Sequence, residues 1–127
     1  MAIARGTVAE KIKPLRGSTV IRGILGATVE AGELVSLQTD GFWDPAIATG
    51  VVLSCGIAVQ GGVATEAVDI VTHGPIECTT GGAIGAIVYV SDTAGEIAET
   101  AGTKSAVVGF NLTATAVYVN FQTVAFA

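Results

Sequence analysis

The sequence predicts an all-β, compact barrel-like domain with an extended N-terminal arm. Three observations predict it: short β-branched runs punctuated by glycine, a near absence of helical text, and an internal repeat. The runs read as strands over 19–21, 33–38, 51–59, 67–72, 76–79, 87–90, 106–112 and 116–121. Thr39-Asp40-Gly41 and Asp92-Thr93-Ala94-Gly95 are turn text, because Asp and Gly tolerate unusual backbone angles. The prolines, at positions 14, 45 and 75, fall outside these runs, so no predicted strand loses a ladder hydrogen bond to one. The best helical turn is 94–101, weakened by Gly95 and Gly102.

The repeat aligns Gly32–Gly41 with Gly85–Ala94. Val51–Val59 then echoes Ala106–Leu112, and Ala64–Ile70 echoes Ala114–Val119. Each half reads as strand, turn-rich excursion, buried strand, short turn, strand. Two copies are too few for a solenoid, which needs about three. They suit one barrel or sandwich closed by pseudo-symmetry, and 127 residues are enough for one domain.

Half the residues are apolar and only 13% are charged, yet no run approaches the ~18 apolar residues of a membrane helix. The apolarity comes from small and β-branched residues, which suit strands packed on both faces. No membrane partner is expected. The N-terminus lacks a continuous apolar segment of the signal-peptide kind, so synthesis and retention in the cytoplasm are expected. Cys55 and Cys78 are too few for a disulfide framework and read as buried free thiols. Asn111-Leu112-Thr113 forms a glycosylation sequon without meaning in a chain that is not secreted.

Charge is distributed unevenly. Arg5, Lys11, Lys13, Arg16 and Arg22 fall in the first 22 positions with Glu10 the one acid among them, and Lys104 is the only base after that, among ten acids. A basic arm over 1–18, carrying the spaced apolar residues Ile3, Val8, Ile12 and Leu15, therefore precedes an acidic body over 19–127. The arm reads as a docking element. The acidic body argues against nucleic acid as a partner.

No pattern in the chain points to catalysis. The one histidine, His73, stands beside the turn text Gly74-Pro75 and reads as a polar loop residue. Cys55, His73 and Cys78 lack the paired short spacings of zinc sites. The acids are scattered, no Gly-x-Ser-x-Gly is present, and neither Gly61-Gly62 nor Gly81-Gly82 opens a helix that would cradle phosphate. No enzyme activity, cofactor or metal is expected. Phe42-Trp43 is a candidate subunit interface, since aromatics are enriched at interface cores. The C-terminal Phe121–Ala127 stays apolar to its end and is expected to be paired or buried.

Several segments together resemble a known family: Ala31–Leu37, Gly56–Ala58, Ala67–Ile76, Gly82–Ser91 and Val107–Phe110. In their strand and turn pattern, across about residues 19–120, they resemble the capsid cement, or head decoration, proteins of tailed bacteriophages. The resemblance implies a β-tulip-like body that forms homotrimers on the outer capsid surface of the virion. There the trimers clamp neighbouring major capsid protein subunits and stabilise the head. The family pattern supplies no functional side chain. For this chain it suggests that Arg5, Lys11, Lys13 and Arg16 of the arm face the capsid. The competing expectations are a phage tail or shell subunit, a carbohydrate-binding β-domain and a lipoyl-carrier-like barrel. The second needs exposed aromatics in a row, whereas Tyr89, Tyr118 and Phe110 lie in core-like runs. The third needs a lysine at a hairpin near 73–82, where there is none.

Overall fold

The computed structural model describes residues 12–50 and 54–121, together with the backbone of 2–5. These residues contain no helix and form β1 (Ala2–Arg5), β2 (Lys13–Pro14), β3 (Thr19–Ile24), β4 (Leu34–Leu37), β5 (Trp43–Pro45) and β6 (Cys55–Ala58). There follow β7 (Ala67–Glu77), β8 (Thr79–Thr80), β9 (Ile87–Val90), β10 (Ile97–Ala98), β11 (Val107–Asn111) and β12 (Ala116–Val119). All are joined in one curled antiparallel sheet that makes a half-barrel, so the protein is an all-β, barrel-like domain.

The central strand order is β5-β4-β6-β7-β12-β11-β9-β10. It reads the same from either end once β5, β4, β6 and β7 are matched with β10, β9, β11 and β12. The internal repeat therefore has a structural meaning: β4 and β9 occupy equivalent places in the two halves, which meet where β7 pairs with β12. The far ends are also tied, by Leu34 N–H to Gly95 O (2.9 Å) and Ala48 N–H to Ser91 O (2.8 Å).

β7 merges two of the expected strands. Its first part pairs with β3 and β6, and its last four residues pair with β12, with β2 alongside. The change of partners falls at Gly74, whose φ of +99° only glycine adopts readily, and where a Cβ would stand 2.6 Å from Ser18 Cα. His73 thus lies in a strand at a bend, where the sequence suggested a loop. Pro75 follows the bend, and Pro14 and Pro45 lie in the short strands β2 and β5, so all three prolines are in strands after all. Residues 94–101 form no helical turn. Glycine at 95, with φ of +79°, closes a tight turn that delivers β10 instead.

Two apolar cores result. The larger lies between the halves, with Leu34, Ile57 and Val71 facing Val88, Val90, Val108 and Val117. The smaller lies on the other side of the first half and gathers Leu25, Val29, Val35, Trp43, Ala58, Val68 and Ile70. β6 consequently buries both faces, which is why its text shows no polar alternation. Part of the stretch expected as an arm is docked on this body: Ile12 is buried in the larger core and Lys13 and Pro14 pair with β7.

Candidate binding surface

Strand alternation puts Val88, Val90, Val108, Val117, Val119 and Ile76 into the larger core, which turns their neighbours outward. On that outer face Ile87 stands directly opposite Phe110, and Phe110 opposite Tyr118; Tyr118 in turn pairs with Pro75, which is buried. Ile87, Phe110 and Tyr118 form one row across β9, β11 and β12, roughly 10 Å long from the usual strand spacing. Phe110 and Tyr118 stack with centroids 5.3 Å apart and planes 12° apart, and His73 meets Tyr118 edge-on at 5.6 Å. Ile84 and Leu112 extend the apolar surface at the β9–β11 end; Ile84 is 75% exposed and Ile87 50%.

Phe110 and Tyr118 were expected in core-like text, and their outward position is a correction. In β9 and β11 both strand faces carry apolar residues, so period-2 reading could not tell inside from outside. The row also bears on sugar binding. A stacking platform needs open ring faces, and here Phe110 and Tyr118 turn a face toward each other.

The basic residues named from sequence are spread around this surface. Lys13, opposite Glu77, lies on the β2 side of the row, and Arg16 follows in the adjoining turn; both are exposed. Arg5 is in β1, where only its backbone is described, and Lys11 lies outside the described residues. Arg22 belongs to the body: its guanidinium donates to Asp69 Oδ1 at 2.9 Å and to the Ala67 carbonyl at 3.3 Å. Gln60 donates to the other Asp69 oxygen at 3.3 Å. This chain of polar contacts joins β3 and β7 to the end of β6. Beside it, Val20 and Ile24 expose apolar side chains on the outer strand β3.

The two candidate interface aromatics part company. Phe42 is exposed, but Trp43 is buried in the smaller core beneath β3, so it belongs to this chain's own interior. Cys55 and Cys78 are free and buried. Burial pushes the Cys78 thiol up to about 12, and burial pushes that of Cys55 up as well. Asn111 of the sequon is buried, its amide donating to Glu99 Oε2 (2.8 Å) and to the Ala83 carbonyl (2.9 Å). Among the described residues no three His, Cys, Asp or Glu side chains gather where they could hold a metal ion. The final residues 122–127 and the 51–53 part of an expected strand lie outside the described residues.

Comparison with known protein families finds no family model that matches the chain, and no curated protein matches it significantly.

Proposed function

We propose that this protein is a capsid decoration protein that binds the outside of a tailed-phage head as a homotrimer and clamps neighbouring major capsid protein subunits. The observation that carries the reading is the uncharged row Ile87–Phe110–Tyr118 on the outer face of the sheet, widened by Ile84 and Leu112. A contiguous apolar strip on a folded domain is characteristic of a protein-binding surface. In this reading it seats on the capsid protein, and it is a structural contact with no chemistry on a substrate. The resemblance of the strand and turn pattern to cement proteins supports the same reading.

Lys13 and Arg16 border the strip and meet acidic groups of the shell. Exposed ion pairs contribute only about 0–1 kcal/mol each, so they orient the approach while apolar burial holds the complex. Three subunits engaging together multiply a weak contact through effective concentration. The trimer is tested by light scattering on the purified protein: a mass three times that of the chain supports the reading, and a strict monomer at micromolar concentration overturns it.

A further inference from the structure

Strand β1 fills a slot between two other strands of the sheet. Ala2 and Ile3 stand opposite Ala98 and Ile97 of β10, and Ala4 and Arg5 stand opposite Thr80 and Thr79 of β8. Among the described residues β8 pairs with no strand except β1. Ile97, Ala98 and Thr79, on the two strands that flank the slot, are buried. Four residues fill the slot, with two paired positions on each side.

The register shows that the chain is longer than this slot requires. Arg5 stands opposite Thr79 and Lys13 opposite Glu77. A strand continuing from Arg5 along the same edge would bring residue 7 opposite Glu77. Lys13 stands there, so six residues are in excess. Two residues of strand cover roughly 7 Å, whereas the eight steps from Arg5 to Lys13 can reach roughly 26–29 Å. The connection is long enough to carry β1 to another molecule.

We propose that β1 is exchanged between subunits, each slot between β10 and β8 receiving Ala2–Arg5 of a second copy of this chain. Exchange preserves every backbone pair, because each slot receives the same four residues in the same register, and passing the strand to the next neighbour closes a ring. The inference rests on the oligomer proposed above but not on what that oligomer binds.

The test is the double variant Ile3→Cys/Ile97→Cys in the full chain. Directly opposed residues of an antiparallel pair have Cα atoms about 4.5–5.5 Å apart, within disulfide range. Exchange predicts that the oxidised protein runs as covalent dimers and trimers on a denaturing, non-reducing gel. An oxidised single-chain band overturns it. A second variant lacking residues 6–11 decides the matter if the cysteines stay reduced. It lets Ile12 and Lys13 follow Arg5 in register on the chain's own edge, and exchange predicts a threefold drop in solution mass. An unchanged oligomer overturns the exchange. A trimer with exchanged strands that ignores capsids overturns the proposed function and leaves the exchange standing.

Discussion

Gly23 lies flat against the indole of Trp43: a Cβ at Gly23 would stand 2.6 Å from both Cδ1 and Nε1 of that ring, and 2.7 Å from Ile70 Cδ1. This close approach lets β3 wrap over the smaller core. From there the chain reaches the far edge of the first half, where Leu25 bridges Trp43 and Gly26 N–H donates to the Trp43 carbonyl at 2.9 Å. Gly23→Ala should therefore overpack the smaller core and cost about 1–3 kcal/mol. Trp43 is the only tryptophan, so urea unfolding followed by its fluorescence reads the change directly. An unchanged midpoint would contradict this packing.

The buried thiols predict a pH dependence of stability. Unfolded, each thiol ionises near its ordinary value of 9.0, while in the fold burial keeps both protonated to higher pH. Above that value the unfolded state binds fewer protons than the folded one, so stability falls as pH rises. The contribution is complete below pH 9 and declines above it, by up to about 1.4 kcal/mol per pH unit for each thiol. Unfolding midpoints at pH 8 and pH 10 should differ more in the native chain than in Cys55→Ala/Cys78→Ala. Equal slopes would show that the thiols are not buried as described.

Thr65 is the one non-glycine residue with positive φ among those described, at 76°. Its N–H donates to the Leu25 carbonyl at 2.7 Å, which holds the turn in place. A β-branched residue is strained in this left-handed region, where Asn is far more common. Thr65→Asn should stabilise the protein by about 1 kcal/mol, measured as a raised urea midpoint. A lowered midpoint would mean that the threonine side chain contributes something the turn geometry does not show.

Glu99 supports a buried amide. Its Oε2 accepts from Asn111 Nδ2 and from Ala83 N–H (2.7 Å), tying the loop before β9 to β11. Glu99→Ala would hand the exposed Ala83 N–H to water and remove one of the two acceptors of the buried Asn111 amide, at a cost of about 1 kcal/mol. Amide hydrogen exchange should then rise at Ala83 before it rises in the core strands. Protection unchanged at Ala83 would place its hydrogen-bond partner elsewhere.

How much of this was legible depends on the element. The repeat was readable because β4 and β9 carry matching Gly and apolar spacing, and the structure gives them equivalent places. The joining of two strand runs into β7 was hidden by Gly74-Pro75, a pair that normally signals a turn and here makes a bend within a strand. The short strands β5 and β10 escaped notice because they are two or three residues long and depend on partners far along the chain. The outer row was hidden for a different reason: Ile87, Phe110 and Tyr118 sit among apolar neighbours, so only the pairing register reveals which face meets solvent. Trp43 was read as an interface residue because nothing local announces that Gly23, twenty positions earlier, leaves room for its indole.

The central claim is that the outer row and its basic border bind a capsid. Its most direct measurement is co-sedimentation of the purified protein with assembled tailed-phage capsids from the same source, comparing the native chain with Ile87→Lys/Phe110→Lys. Both positions are exposed, so the double variant should fold. The account predicts saturable binding by the native chain and at least a tenfold loss for the variant, with its circular dichroism spectrum unchanged. A native chain that stays in the supernatant at every concentration, or a variant that binds equally well, would contradict it.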